Sequence, residues 1–463
     1  MKDFFKQVSI YGILPVVGKF AGFFLIPIYT RLFSSEEFGM LELLMTLIKF
    51  LLFACNLEFY SAIGRFFYER KSLIDKKKLI STGLILTIIT SSIVSFTSIV
   101  FEENISEAYL NSSLYWFEFK LCIIWLFLEA SSVYLSVIPR YDKKPKLFVG
   151  ISISSLLIRV SFTIIYVLIL DLGIAGVIYG HITGAIVSLI GYGVASKKYL
   201  AIQFSKSDAK EIVKFAFPIV PGLLLIGLWG PISRNLISEY FSLATLGLFA
   251  FAIRIAAVME ILNGAIRMAW SPMLFENFKN PSFVKDTERI SKMVGMLAVS
   301  GAIGVILLAP EIAKYVGTKE FEESAILIGF LTFAGIIEVL NRLRGFGPLI
   351  LKKTYILTVV EIVRIVLSVF ILIQFRGLGL IGIGVAFLVP AFLKYLILTA
   401  YTSKAMKINF IYRSELLLFS VALMSLIMVQ YELNFISRIT MSILTLLYFI
   451  YIFKNLKKDT LSD

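Results

Sequence analysis

Lysine and arginine occur near the middle of long apolar segments at five positions. They are Lys19, Lys49, Arg159, Arg254 and Arg364. A charge at the centre of a bilayer costs roughly 2.5–3.5 kcal/mol on insertion scales, so such residues are functional by default. Arginine contacts phosphate through two parallel N–H groups, and lysine acts as a point charge. Several such cations predict an anion-binding cavity, and a pyrophosphate suits it.

Other charged residues in the apolar segments are candidates for supporting roles. Long basic side chains near the end of a span can reach the lipid headgroups, and three of them are secondary candidates for the same cavity: Arg31, Arg234 and Lys394. Four acidic residues are candidates for coupling to Na⁺ or H⁺: Glu42, Glu58, Glu129 and Glu338. The sequence does not distinguish between the two ions.

The alternative role for the buried cations is structural pairing with acidic residues. Glu361 lies three residues before Arg364 and on the same helix face, so these two charges can neutralise each other. Lys19 and Arg159 have no acidic residue in their own segments, although an acidic residue of another helix can serve as their partner. Both interpretations stay open from the sequence.

The segments that position these charges are predicted membrane spans. The chain has 463 residues, of which 58 % are hydrophobic and 16 % charged, whereas a soluble domain has roughly 25 % charged residues. Apolar runs long enough to cross a bilayer recur along the chain. We predict an all-α polytopic membrane protein with fourteen spans, or twelve as the alternative. The spans cover residues 8–33, 38–64, 79–101, 114–138, 147–170, 173–195, 212–236, 243–270, 290–309, 324–341, 354–375, 378–401, 414–430 and 435–453.

The loop charges predict the orientation in the membrane. With the N-terminus in the cytoplasm, the outer loops hold only Lys314, Lys319 and Arg376 as basic residues, in agreement with the positive-inside rule. Both termini are then cytoplasmic. The net charge of +14 is explained by contact with anionic headgroups of the lipid bilayer. Because no basic face is separate from the membrane flanks, we expect no nucleic-acid partner.

Residues for a nucleotide, metal or catalytic site are scarce. The stretch from Gly12 to Lys19 resembles a phosphate-binding loop, but it has five residues between its glycines, and Phe20 stands where the motif needs Ser or Thr. His181 is the one histidine, and Cys55 and Cys122 lie in apolar segments. We expect no metal, no cofactor and no enzymatic activity.

An internal repeat predicts two related halves. FSSEEFG at 33–39 matches FSLATLG at 241–247, and LGIAGVIYGHITGA at 172–185 matches LGLIGIGVAFLVPA at 378–391. Parallel repeats of this kind are typical of alternating-access transporters. The predicted organisation is a six-helix bundle at 1–198, a cytoplasmic linker at 199–211, a second six-helix bundle at 212–402 and a further hairpin at 411–454.

Several apolar stretches are similar to one family. SIYGILPVVGKFAGFFLIPIYTRLFSSEEFGMLELL resembles the opening of bacterial polysaccharide flippases, the Wzx-type group of the multidrug/oligosaccharidyl-lipid/polysaccharide (MOP) exporter superfamily. SAIGRFFYER, FAFPIVPG, LGLFAFAIRIA and AWSPMLFEN are similar to the same family. The resemblance covers roughly residues 5–400. It implies a MATE-like fold, with two six-helix bundles in a V, and a terminal helix pair that flanks a groove for a lipid tail, as in the lipid II flippases.

The resemblance also implies a function in the bacterial inner membrane. The expected activity is flipping of an undecaprenyl-pyrophosphate-linked oligosaccharide, such as an O-antigen, capsule or exopolysaccharide repeat unit, with the five mid-span cations as candidates for the cavity. Polysaccharide polymerase or assembly proteins are further candidate partners. The alternatives are a multidrug or cation antiporter of the same fold, a lipid II flippase, and a membrane polysaccharide polymerase or ligase. The last is disfavoured because the loops are too short to hold a sugar for acid–base chemistry.

Overall fold

The chain is almost entirely helical. A computed structural model describes residues 2–110, 114–218, 220–410 and 413–430, together with 436–441, 443–445 and 447. No β-strand occurs within these ranges. The prediction of an all-α polytopic protein is confirmed.

The helices of the described residues follow one another through short connections. The first ten are α1 (Lys2–Leu32), α2 (Ser35–Asn56), α3 (Phe59–Phe67), α4 (Leu73–Val100), α5 (Glu102–Ile105), α6 (Trp116–Tyr141), α7 (Pro145–Ile164), α8 (Gly173–Ser196), α9 (Lys206–Ala216) and α10 (Val220–Tyr240). The next nine are α11 (Leu243–Ala256), α12 (Val258–Asn277), α13 (Phe283–Leu307), α14 (Ala309–Val316), α15 (Ala325–Arg344), α16 (Gly347–Ile350), α17 (Tyr355–Gln374), α18 (Leu380–Met406) and α19 (Arg413–Gln430). Short π-helices cover Ser106–Leu110 and Ile165–Ile169, and 3₁₀ helices cover Lys197–Tyr199, Lys319–Ser324 and Arg376–Leu378.

Many of these helices are suited to a membrane. Within the described ranges, ten are long and apolar enough to cross one, and the number is eleven if Leu243–Ala256 and Val258–Gly264, which meet at 42°, form one bent span. A multi-pass membrane protein is therefore confirmed. The count of fourteen stays a prediction, because the last predicted span, 435–453, lies only in part within the described residues.

Two predicted spans have different boundaries in the structure. The span at 38–64 is divided into α2 and α3 by Leu57 and Glu58, whose φ angles are 42° and 59°. Such left-handed angles are uncommon for residues other than glycine, and neither glycine nor proline announces the break. The span predicted to begin at 212 begins at Val220 instead. The residues before it form α9, a separate helix that buries Ile212 and Ala216.

Packing divides the chain into two compact units. Unit 1 consists of Met1–Leu25 and Met40–Glu239, and unit 2 of Ile26–Gly39 and Tyr240–Asp463. In unit 1, α8 packs along α6 and α7, while α9 packs on α3 and α4. In unit 2, α15 packs against α11, α13 and α18, and α19 packs on α13.

These units are not the same as the bundles predicted from the repeat. Residues 212–239 belong to unit 1 and residues 26–39 to unit 2. Within unit 1, Arg234 of α10 forms an ion pair of 3.4 Å with Glu42 of α2. Within unit 2, Ser35 donates hydrogen bonds to Glu320, at 2.8 Å from its backbone N–H and 2.6 Å from its hydroxyl. The two six-helix bundles at 1–198 and 212–402 stay a prediction.

The predicted linker, 199–211, packs against other elements of unit 1. Arg70, between α3 and α4, forms ion pairs of 2.7 Å with Asp208 and 2.6 Å with Glu211 of α9. These bonds to carboxylates raise the pKa of Arg70, although burial opposes the charge. Because Arg70 holds α9 at two points, the segment between α8 and α10 is a packed element of unit 1.

Asp142 organises the connection between α6 and α7. Its carboxylate accepts hydrogen bonds from Lys198, at 2.9 Å, and from the hydroxyl of Tyr199, and it forms an ion pair of 2.8 Å with Lys144. Burial disfavours its charge, but these contacts outweigh burial and lower the pKa of Asp142 to about 2. The ionised group therefore stabilises the fold above its ordinary pKa of about 4, and the contribution is lost as pH falls toward 2.

Asp142→Asn is expected to destabilise the purified protein at pH 7 by about 1–2 kcal/mol, in the range for hydrogen bonds to a charged group. The thermal midpoints of variant and wild type should then converge as pH is lowered from 5 to about 2, because the wild-type carboxylate becomes protonated. Midpoints measured across this pH range check both points. Asp171→Asn, at an exposed position between α7 and α8, is the control. A difference between Asp142→Asn and wild type that persists at the lowest pH would contradict the assignment.

The two copies of the repeated motif meet inside unit 2. Gly39 of α2 packs on the carbonyl oxygen of Leu243, and Gly247 of α11 packs on the carbonyl oxygen of Ser35. Ser35 and Leu243 occupy the same place in FSSEEFG and FSLATLG, so the contact is reciprocal. A Cβ atom at either glycine would overlap with the opposing oxygen. Glycine is required here because the two backbones approach directly.

Gly247→Ala is expected to force α2 and α11 apart and to destabilise the protein by about 1–3 kcal/mol, the usual cost of overpacking. Gly39→Ala should have a similar effect. Thermal unfolding of the purified variants measures it. Gly22→Ala in α1 is the matched control, because a Cβ atom there would meet nothing within 4 Å. If Gly247→Ala were as stable as Gly22→Ala, the direct backbone contact would be wrong.

Candidate functional site

Two neighbouring cavities lie in unit 1, and Val133 of α6 lines both. The smaller has a volume of about 130 Å³ and includes Lys49, Asn56 and Glu58 in its wall. The larger has a volume of about 300 Å³ and lies between α6, α7 and α8, with Gly18 of α1 at its edge. We refer to the larger one as the α6–α8 cavity.

Polar side chains dominate the wall of the α6–α8 cavity. They are Glu129, Ser132, Ser136, Ser152, Ser155, Arg159, His181, Ser188 and Tyr192. On each helix most of these residues are three or four positions apart, so the spacing of the α-helix brings them to one face. Ser132 is 2.5 Å from Ser188, and Ser152 is 2.5 Å from the hydroxyl of Tyr192.

The charged groups of the α6–α8 cavity gather around His181. The Trp125 ring lies 4.3 Å from the His181 ring, and its indole N–H donates to Glu129 at 3.3 Å. Arg159 acts electrostatically on both Glu129 and His181, and Lys49 also acts on His181. Three residues predicted from the sequence, Lys49, Arg159 and Glu129, are thus brought together. Two of them are cations and one is a carboxylate, so these three side chains sum to one positive charge when all are ionised.

Lys19 belongs to the same region by its position. It follows Gly18, which lines the α6–α8 cavity, and its side chain is half-buried. Glu58, in the wall of the smaller cavity, accepts hydrogen bonds of 2.5 Å from Tyr60 and Ser61. These bonds hold its carboxylate at the break between α2 and α3.

The other two predicted cavity cations belong to unit 2. Arg254 lies over the ring of Phe38, 4.3 Å from its centroid. Arg364 forms an ion pair of 2.6 Å with Glu361, as the structural alternative predicted. Lys394 is 3.0 Å from both Glu361 and Glu338. We call Glu338, Glu361, Arg364 and Lys394 the ion network; it joins α15, α17 and α18 and has no net charge when all four are ionised.

The remaining sequence candidates fall into two groups. Arg234 is held by Glu42, and Arg31 is exposed and donates to the carbonyl of Pro27 at 2.7 Å. Among the acidic candidates, Glu42 and Glu338 are engaged by basic side chains. Glu58 and Glu129 instead line cavities.

An apolar groove with a basic end lies in unit 2 between α15, α18 and α19. Its volume is about 860 Å³, and Phe333, Leu388, Phe392, Phe419 and Leu423 are among its lining residues. We call it the α18–α19 groove. The first helix of the predicted terminal hairpin forms one wall, whereas the second helix lies only in part within the described residues.

The basic end of the α18–α19 groove is formed by Arg344 and Lys404. Arg344 is 1 % exposed. Its guanidinium donates to Ser291 at 2.8 Å and to the hydroxyl of Tyr395 at 2.6 Å. The guanidinium is therefore held in one orientation beside an apolar channel.

Sequence reasoning missed His181, Arg344 and the serines of the α6–α8 cavity. A signal for the serines was present, because Ser132 and Ser136 are four residues apart, and Ser152 and Ser155 are three apart. Two polar stripes in successive apolar helices indicate a shared polar interior. Arg344 carried no such signal, since it ends a helix and looked like an ordinary cytoplasmic loop residue.

Comparisons with known proteins agree with this architecture. The profile of the family described as "Polysaccharide biosynthesis protein" matches residues 28–326. An "Uncharacterized membrane protein" of Haemophilus influenzae is 26% identical over 318 residues, which is 66% of this chain and 74% of the relative.

Two solved structures show the fold. The structure titled "Lipid II flippase MurJ, inward closed conformation" has a TM-score of 0.72 and 19% identity, and covers 96% of this chain and 99% of that chain. A multidrug resistance MATE family transporter of the MOP superfamily, in an inward-facing conformation, has a TM-score of 0.60 and 15% identity, over 84% of this chain and 94% of that chain. The MATE-like fold is confirmed, and the profile covers more than half of the chain. This chain therefore belongs to the polysaccharide biosynthesis protein family, on the helical fold of the MOP superfamily.

Proposed function

We propose that the protein is a flippase that moves a polyprenyl-pyrophosphate-linked oligosaccharide from the inner to the outer leaflet of a bacterial inner membrane by alternating access. The observation that carries the proposal is the polar, basic α6–α8 cavity, with Arg159 in its wall and Lys49 beside it, inside membrane-spanning helices. A polar cavity among apolar membrane helices suits a polar cargo. Both termini are cytoplasmic in this proposal.

The cations have a specific role in this function. Sugar hydroxyls and phosphates are costly to place in hydrocarbon without hydrogen bonds. Arg159 offers a planar fork of donors for a phosphate, and Lys49 adds a second positive charge. Lys19 is the third candidate, from its place beside Gly18. The pyrophosphate would bind here while the glycan stays in a wet environment.

The α18–α19 groove suits the polyprenyl tail. Its aromatic and aliphatic wall matches a hydrocarbon chain. The tail would thus stay in an apolar path while the headgroup moves. No cofactor and no catalytic step belong to this proposal.

Coupling to H⁺ is assigned in this proposal to Glu129 or Glu58, because Arg159 and Lys49 in the walls of the two cavities disfavour a metal cation there. A carboxylate that already holds a basic side chain has less capacity for a further cation, so Glu42 and Glu338 are disfavoured. Glu129→Gln is therefore a more informative variant than Glu42→Gln for measuring dependence of transport on an ion gradient.

The test is depletion of the protein in its native cell, followed by analysis of polyprenyl-pyrophosphate glycans and their leaflet. We expect complete repeat units to accumulate facing the cytoplasm. Accumulation in the outer leaflet would indicate a polymerase or ligase instead. A normal glycolipid distribution with altered drug tolerance would overturn the proposal in favour of a drug or cation antiporter.

A further inference from the structure

The side chains that line the α6–α8 cavity change along its length from charged groups to hydroxyl groups. Because α7 runs opposite to α6 and α8, Glu129, Arg159 and His181 lie toward one end of the cavity. Ser136, Ser152 and Tyr192 lie toward the other end, with Ser132, Ser155 and Ser188 between them. The hydrogen bonds described above join residues of the same level. A charged end is thus continuous with a region of hydroxyl groups.

The hydroxyl region mainly accepts hydrogen bonds. Ser155 donates to the carbonyl of Gly184 at 2.7 Å, Ser136 to that of Val133 at 2.7 Å, and Ser188 to that of Ala185 at 3.1 Å. A hydroxyl has one hydrogen but two lone pairs. When the hydrogen is bound within the protein, the oxygen can still accept from a ligand.

The acceptors and charges in the wall of the cavity indicate which class of ligand fits it. A drug-like apolar molecule would leave buried acceptors unsatisfied. A metal cation would face Arg159 and Lys49, both acting at His181, and like charges at close range repel. A molecule rich in O–H donors, with a negative group at one end, matches both regions. His181 also presents a buried Nδ1 with no hydrogen-bond partner among the described residues.

The shape of the cavity limits the ligand further. A volume of about 300 Å³ is at the lower limit for ligand pockets, so it holds one ring and not an oligosaccharide. The rings of Phe148 and Tyr192 stack at 6.0 Å, 25° from parallel, and both line the cavity. Aromatic faces of this kind pack against the C–H face of a sugar ring.

We infer that the α6–α8 cavity is the seat of a single sugar, the residue joined directly to the pyrophosphate of the lipid-linked glycan. Arg159 holds the phosphate end, and the serine hydroxyls and Tyr192 accept from the sugar. This inference rests on the proposed function and adds which part of the cargo unit 1 recognises. The remaining sugars of the repeat unit lie outside this seat.

The experiment uses the full-length protein in detergent with a reporter cysteine, Ser152→Cys, in the hydroxyl region. Cys55 and Cys122 are both buried, so their background labelling by N-ethylmaleimide is low. The control is Ser154→Cys, two residues along α7, where the side chain is exposed and does not line the cavity. The probes are lipid-linked glycan purified from the native cell and undecaprenyl pyrophosphate without a glycan. The thermal shift of the wild type with each probe reports binding anywhere on the protein.

The expected result is that the lipid-linked glycan slows labelling of Ser152→Cys by about tenfold when its concentration is about ten times Kd, while undecaprenyl pyrophosphate leaves the rate unchanged. Ser154→Cys should be labelled at one rate throughout. If both lipids protected the reporter cysteine equally from labelling, the sugar seat would be wrong. The cavity would then bind only the pyrophosphate. A thermal shift without any protection would overturn the sugar seat and place the glycan elsewhere, with the proposed function intact. Absence of a thermal shift with either lipid would overturn the proposed function together with the inference.

Discussion

Replacing Arg159 by alanine is expected to abolish surface polysaccharide in the native cell, although the protein still inserts. Hydrogen bonds to charged groups contribute about 1.5–3 kcal/mol each. The loss of the guanidinium should therefore weaken binding of the pyrophosphate about 10- to 100-fold. Arg159→Lys should bind the pyrophosphate with an affinity between those of the wild type and Arg159→Ala. It keeps the positive charge but loses the planar fork of donors. Binding of undecaprenyl pyrophosphate to the purified variants and transfer in vesicles measure the effect.

The matched control for Arg159 is an arginine with an ordinary surface partner. Arg65 of α3 pairs with Glu69 at 3.0 Å, and 62 % of its side chain is exposed. Exposed pairs of this kind contribute little, so Arg65→Ala should transport normally. Lys19→Ala carries the same expectation as Arg159→Ala. Normal polysaccharide in both of these variants would show that the cationic cavity does not hold the cargo.

The architecture was predictable from the sequence because it depends on the length of the apolar segments and on the charges of the loops between them. Long apolar runs and the bias of loop charges suffice for a multi-pass helical protein. Breaks inside the spans were not predictable, because the left-handed residues Leu57 and Glu58 lack the glycine or proline that would announce them. The sequence predicts the second half of the amphipathic α9 as the start of a span, because its apolar residues run directly into those of α10.

The site was predictable only in part. Depth in the apolar segments identified Lys49 and Arg159, and spacing identified the pair of Glu361 and Arg364. Which cation faces which cavity depends on how helices distant in sequence pack together. Lys394 of α18 reaches Glu338 of α15 across 56 positions, and no local pattern encodes that contact.

The largest stability effect is expected for Lys394, which joins the two carboxylates of the ion network. Lys394→Met keeps the aliphatic stem but leaves Glu338 and Glu361 near each other, with Arg364 as the one basic group remaining in the network. Removing one partner of a buried ion pair costs 3–5 kcal/mol. Because the side chain of Lys394 is 16 % exposed and that of Glu338 36 %, we expect the lower end of this range, about 3 kcal/mol, in unfolding of the purified protein.

The double variant Lys394→Met with Glu338→Gln separates electrostatics from packing. It removes one positive and one negative charge, so Glu361 and Arg364 remain as a balanced pair of 2.6 Å. Much of the lost stability should return, and a double-mutant cycle then gives the coupling energy between positions 338 and 394. Lys353→Met, at an exposed position before α17, should leave stability unchanged. If the double variant were as unstable as the sum of its single changes, the cost would not come from the interaction between Glu338 and Lys394. The charges of Glu338 and Lys394 would then be independent, and Glu338 would again be a candidate for ion coupling.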